Sequence, residues 1–162
     1  MVVDSTRRSI LLYTFDLATP CDPMAERKML LDSTLDSVEI AEKAVLQAAV
    51  DIGFGEDELH QLGMAVREGM VNAVVHGNAY NARKKVHVSI TKGSDRLTIV
   101  IADEGKGFDV TSVPDPLAED NLLRQSGRGL LLMRAFVDEF HVRRAEPTGT
   151  EVTMVKYLAP AS

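Results

Sequence analysis

Glu68, Asn72 and His76 follow one another at four-residue intervals within a stretch of helical periodicity. Side chains at i and i+4 lie about 5–6 Å apart on one helix face, so the three form a polar stripe. Leu59, Leu62, Val66, Ala73 and Val74 fall on the other faces and are free to pack. A carboxamide one turn from a carboxylate suits a divalent cation. Asn72 supplies a neutral oxygen for Mg2+, and Glu68 stays available as a base. Taken alone, such a stripe is more commonly a solvated helix face.

Two glycine-bearing segments follow. Asp103-Glu104-Gly105-Lys106-Gly107-Phe108-Asp109 lies at the end of an expected strand. A carboxylate there can accept a hydrogen bond from an exocyclic amine, and Gly105 and Gly107 let the backbone approach a flat ring or turn beneath it. The same residues equally describe a simple turn after a strand. Ser126-Gly127-Arg128-Gly129-Leu130 precedes an expected helix. Glycines before a helix N-terminus expose amide N–H groups where the dipole favours phosphate, and Arg128 or Arg124 can add charge-assisted hydrogen bonds. Its plainer reading is a loop ending in a glycine cap. No G-x-x-x-x-G-K-[ST] loop occurs, nor do the catalytic-loop and D-F-G signatures of eukaryotic-type protein kinases.

The 162 residues suffice for one domain of roughly 150 residues, with a core that needs no staples. Hydrophobic residues at 45% and charged residues at 26% argue against disorder. Eighteen Lys and Arg against twenty-four Asp and Glu leave a net charge of −6, which disfavours direct nucleic-acid binding. Cys21 is the single cysteine, so an intramolecular disulfide is excluded and a reducing, cytoplasmic setting is expected. Ser5-Thr6-Arg7-Arg8 ahead of Ile10-Leu11-Leu12 superficially suggests an export signal, but the apolar run ends at Asp16. No window reaches the ~20 apolar residues of a membrane helix.

The elements that must position these groups are legible in outline. Residues 9–16 read as a strand, and residues 17–33 carry Pro20 and Pro23 with no firm assignment. Ser33 or Thr34 is a candidate cap for a helix over 35–52, with Leu35, Val38, Ala41, Val45 and Ala49 at helical spacing. Glu56-Asp57-Glu58 opens a second helix that runs to about His76 and stops at Gly77-Asn78. Strands near 84–92 and 96–103 form a hairpin around Gly93-Ser94-Asp95. A long connection over 104–126 leads to a helix from Leu130 to about Asp138. Strands near 139–146 and 150–158 flank Pro147-Thr148-Gly149. The order implies an α+β, two-layer α/β sandwich: a mixed, mostly antiparallel sheet with helices on one face.

An E-x-x-x-N helix, D-x-G-x-G after a strand and G-x-G opening a helix occur here in one order. Together they resemble the Bergerat ATP-binding fold of the GHKL group. Glu68 to Asn78 looks like its N box, Asp103 to Asp109 its first glycine box, and Ser126 to Met133 its second. Gly149-Thr150-Glu151-Val152 resembles the last box, whose Thr commonly supports the adenine-binding Asp by a hydrogen bond. The resemblance spans about residues 9–158 of a single domain over 1–162. Within the group, the chain is most similar to the small anti-sigma factor serine/threonine kinases of bacteria. His76-Gly77 and Gly129-Leu-Leu-Leu-Met133 carry that likeness.

The resemblance implies binding of ATP with Mg2+ and phosphorylation of a serine or threonine on an anti-anti-sigma (STAS-type) partner. It also implies sequestration of a sigma factor, by a homodimer. On this reading Glu68 is the general base and Asn72 the Mg2+ ligand. Asp103 reads the adenine amine, with Gly105 and Gly107 beneath the base and Thr150 in support. Gly127, Arg128 and Gly129 form the lid over the phosphates, and His76 bonds the backbone near the helix end. Some of these kinases reach the phosphates with an Arg on the first helix, where this chain has Glu42-Lys43. The alternative function is a nucleotide-gated protein-binding module. A detached histidine-kinase catalytic domain fits less well, because His60 precedes Glu68 on the same helix and cannot reach its own site.

Overall fold

The computed structural model describes residues 10–11, 25–107 and 127–160. One six-stranded sheet is covered by three helices. In chain order the elements are β1 (Ile10–Leu11), β2 (Ala25–Asp32), α1 (Asp36–Ile52) and α2 (Glu56–Val71), the last continued by a π-helical turn (Asn72–Gly77). Then follow β3 (Lys85–Lys92), β4 (Arg96–Ala102), α3 (Gly127–Phe136), β5 (Glu139–Arg144) and β6 (Thr150–Tyr157). The strands lie side by side as β1-β2-β3-β4-β6-β5. Every pairing among the described residues is antiparallel, in line with the expected two-layer fold on a mostly antiparallel sheet.

The strand over 9–16 is seen only at Ile10–Leu11, and its remaining residues lie outside those described. The unassigned stretch before the first helix contains a full strand, β2. Its register sets Met29 opposite Val88 and Leu31 opposite Val86. Only Met29 and Leu31 face the core, while Glu26-Arg27-Lys28 are exposed and hide the alternation.

Alternation works plainly in the central strands. Val86, Val88 and Ile90 of β3 and Leu97, Ile99 and Ile101 of β4 turn to the helices. Val152 and Met154 of β6 extend that surface, with Ile99 paired to Met154. Against it pack Val38, Ala41, Val45 and Ala49 of α1, Leu62, Val66 and Met70 of α2, and Met133 of α3. Burying each large aliphatic side chain contributes roughly 1.5–3 kcal/mol, which fixes α2 against the sheet.

Helix ends depart from expectation at two places: α3 runs over Gly127–Phe136, not from Leu130 to about Asp138, so Gly127, Arg128 and Gly129 form its first turn, and the start of α1 differs too. Neither Ser33 nor Thr34 caps α1: Leu35 takes the cap position, without a side-chain bond, and is 55% exposed. Ser33 is buried and spends its hydroxyl elsewhere, on the carbonyl of Lys84. At α2 the Glu58 carboxylate accepts the Gly55 N–H at 2.9 Å, and three acidic residues occupy the first turn. The far end of α2 widens, because Asn78 N–H bonds Ala73 O, five residues back, at 2.8 Å.

Candidate functional site

Asp103 directly follows β4 in the middle of the sheet and is 6% exposed. Its N–H donates to Thr150 O at 3.0 Å, which ties it to the start of β6. Its Oδ1 accepts the N–H of Gly105 at 2.9 Å and that of Thr150 at 3.2 Å. Burial pushes the carboxyl above its ordinary value. Those two N–H groups and the nearby Lys84 charge pull the other way. The bond expected from Thr150 is therefore made by its main chain. A threonine hydroxyl does brace the loop, but it belongs to Thr148, whose Oγ1 donates to Gly105 O at 2.7 Å.

Backbone approaches Asp103 on several sides. A Cβ on Gly77 would overlap the Asp103 carboxylate, and one on Gly149 would overlap the Asp103 carbonyl. A Cβ on Gly105 would overlap the carbonyl of Gly77. Gly107 and Gly149 take φ of 69° and 110°, in the left-handed region that favours glycine. The glycines of the expected first and last boxes thus leave room for main chain around one buried carboxylate.

The other end of the site is made of side chains. Glu68 and Asn72 are both half-buried on consecutive turns of α2. They face the start of α3, where a Cβ on Gly129 would stand 2.9 Å from Glu68 Oε2 and 3.2 Å from Asn72 Nδ2. Gly127 and Arg128 are the first residues of α3, whereas Arg124 and Ser126 lie outside the described residues. A helix N-terminus beside a carboxylate and a carboxamide presents N–H donors and positive dipole to an anion. Gly69, buried on α2, seats α3 beside it: its missing Cβ leaves space that Ile101 Cδ1 and Met133 Sδ approach, at 2.9 and 3.3 Å from that position.

Two residues sit differently from expectation. His76 is exposed and makes no side-chain hydrogen bond among the described residues, because the stripe loses its 3.6-residue period where the π turn begins at Asn72. Lys43 is exposed and pairs with Glu39 at 2.8 Å. It is Glu42 that faces α2, where it pairs with Arg67. His60 is exposed near the start of α2, on the helix of Glu68 as expected.

Asn78 is the residue that sequence reasoning missed. It reads as part of a Gly-Asn helix stop, yet it is 1% exposed and fully hydrogen-bonded, in part to Glu104 beside Asp103. A polar residue after a stop signal gives no hint of burial. Only the register of β3 against the end of α2 places it inside.

The fold that carries a buried carboxylate ringed by glycines at one end, and a carboxylate–carboxamide pair facing a helix N-terminus at the other, is that of an ATPase domain. Residues 31–156 match the family model of the histidine kinase-like ATPase domain, and the chain belongs to that family. Among known proteins it is similar to Serine-protein kinase RsbW of Bacillus velezensis, 32% identical over 139 residues that cover 81% of this chain and 84% of that one. Serine-protein kinase RsbW of Bacillus subtilis is 38% identical over 115 residues, covering 66% and 69%. The Anti-sigma F factor of Bacillus subtilis is 31% identical over 105 residues, covering 64% and 72%. No helix among the described residues is long and apolar enough to cross a membrane.

Proposed function

We propose that this protein is an ATP-dependent serine/threonine kinase and anti-sigma factor, acting in the cytoplasm on an anti-anti-sigma (STAS-type) partner. The observation that carries the reading is the facing of Glu68 and Asn72 against Gly129 at the N-terminus of α3. The names of the similar proteins support the same conclusion and, with it, the sigma factor as second partner; the homodimer is part of the proposal and rests on the resemblance alone.

Phosphoryl transfer asks a protein mainly for positioning and charge neutralisation. Asp103 accepts a hydrogen bond from the adenine amine. Glu68 takes the proton of the partner's hydroxyl as its oxygen attacks the γ-phosphorus and the bond to the β-bridging oxygen breaks. Among the described residues no three His, Cys, Asp or Glu are placed to hold a metal. A lone carboxamide beside a carboxylate suits Mg2+, which is commonly held by one or two protein ligands and the substrate phosphates. Asn72 would hold it, and bound there it neutralises charge on the phosphates. The main-chain N–H groups of Gly127, Arg128 and Gly129 bind the phosphates from the helix end.

The test is transfer of labelled γ-phosphate from ATP and Mg2+ to an anti-anti-sigma-type protein of the same organism, with Glu68→Ala in parallel. Serine or threonine labelling that vanishes in the variant, at unchanged ATP affinity, is the expected result. One observation favours a second reading: Lys43 is spent on Glu39, and α1 offers α2 a carboxylate instead of a cation. Tight ATP binding with no labelling would establish that nucleotide-gated binding module instead.

A further inference from the structure

Asn78 lies outside every contact assigned above to ATP, and both polar atoms of its carboxamide are nevertheless hydrogen-bonded. Nδ2 donates to Ser33 Oγ at 2.8 Å and to Lys85 O at 3.0 Å. Oδ1 accepts the N–H of Glu104 at 2.8 Å. Ser33 Oγ in turn donates to Lys84 O at 2.6 Å. One buried side chain thus joins the end of α2, the end of β2, the start of β3 and the residue after Asp103.

We propose that Asn78 is a positioning residue for adenine recognition, an inference that rests on the reading of Asp103 as acceptor of the adenine amine. The peptide before Asp103 is pinned by its own N–H on Thr150 O, and the peptide after it by Glu104 N–H on Asn78 Oδ1. With both flanking peptides fixed, φ and ψ of Asp103 are fixed, and so is the direction of its Cα–Cβ bond. Gly105 and Thr150 then orient the carboxylate itself. The position demands an acceptor towards Glu104 and two donors towards Lys85 O and Ser33 Oγ, without charge in a buried site. A carboxamide meets all three demands. Alanine would strand the Glu104 N–H and let the 103–104 peptide rotate.

The test compares ATP with inosine triphosphate, which carries an oxo group where adenine has its amine. Affinities for both are measured with the whole chain in wild type, Asn78→Ala, Ser33→Ala and Asp103→Asn. Asn78→Ala is expected to lower ATP affinity about tenfold, the worth of one hydrogen bond, with inosine triphosphate affinity little changed. Ser33→Ala, which removes one anchor of the carboxamide and keeps the core, is expected to move the ratio the same way by less. It carries the test if Asn78→Ala does not fold. Equal loss of both nucleotides, or an unchanged ratio, overturns the inference and leaves Asn78 as a fold-stabilising residue only. If wild type does not discriminate, or Asp103→Asn still discriminates, the adenine reading fails and this inference with it. If Asp103→Asn loses discrimination while both other variants keep it, only the inference fails.

Discussion

Gly129→Ala separates catalysis from stability. The added Cβ would stand 2.9 Å from Glu68 Oε2 and 3.2 Å from Asn72 Nδ2, whereas ordinary contact begins at 3.4 Å. Glu68 must therefore give way by about 0.5 Å and Asn72 by about 0.2 Å. Both are ends of half-buried side chains, so the shift is accommodated by rotamer changes and not by backbone. The substitution also replaces glycine by the best helix former, worth up to about 1 kcal/mol in a helix interior and less in a first turn. Stability should be unchanged or slightly higher. Catalysis should suffer, because misplacing a reacting group by about 1 Å costs roughly 100-fold, and half that distance about tenfold. The assay is single-turnover transfer at saturating ATP, with Tm and ATP affinity measured alongside. A transfer rate equal to wild type would refute the claim that Gly129 and Glu68 meet in the working enzyme. A fall in Tm beyond about 4 °C, more than 1 kcal/mol for a chain of this size, would refute the claim that the site absorbs the methyl group.

Other perturbations read the remaining contacts. Asp103 has a carboxyl raised by burial, and an amine donor favours its ionised form. ATP affinity should therefore be full above that raised pKa and fall as pH drops through it, a dependence that titration calorimetry should find flattened in Asp103→Asn. For folding the sign reverses: a carboxyl raised in the folded state loses stability as pH rises through that window, so Asp103→Asn should melt no lower than wild type at pH 7. Asn72→Ala should weaken ATP binding with Mg2+ and leave it nearly unchanged in EDTA; equal losses would remove its metal role. Gly149→Ala combines φ of 110° with overlap of the Asp103 carbonyl, and should destabilise by about 3 kcal/mol or more in urea unfolding.

What the sequence disclosed, and what it withheld, follows from the range of the signals. The inward alternation of β3 and β4 and the spacing of Val38, Ala41, Val45 and Ala49 are local patterns, and those elements stand where the patterns put them. Leu35 shares that spacing but precedes the first turn, so it has no sheet beneath it. β2 was illegible because an edgeward strand with three consecutive charges needs only two inward residues, Met29 and Leu31, and two residues make no period. The π turn has no sequence signature at all, since one widened turn is selected by packing. Its consequences were invisible for the same reason: His76 leaves the stripe, and Asn78 enters the interior. Glycine positions were visible as types, but their purpose was not. Gly77 reads as a helix stop, and only the fold shows that it stands against the Asp103 carboxylate.

The two ends of the site are built from different materials, and their tolerance to change should differ accordingly. At the end proposed for adenine, Gly77, Gly105 and Gly149 bring main chain from α2, from the segment after β4 and from the start of β6 into contact around Asp103. Main chain cannot move without moving the elements it belongs to, so substitutions there should disturb recognition and folding together. At the end proposed for the phosphates, Glu68 and Asn72 project from a helix whose packing is done by Leu62, Val66 and Met70 on other faces. Removing either side chain leaves that packing intact, so rate or metal dependence should change while Tm does not. The division can be tested across the set: plotted against each other, losses in Tm and in ATP affinity should correlate for Gly77, Gly105 and Gly149 variants. Glu68, Asn72 and Gly129 variants should lie off that line. If the phosphate-end variants fell on the same line, Glu68 and Asn72 would be parts of the fold's support, and the case for chemistry at this helix face would be lost.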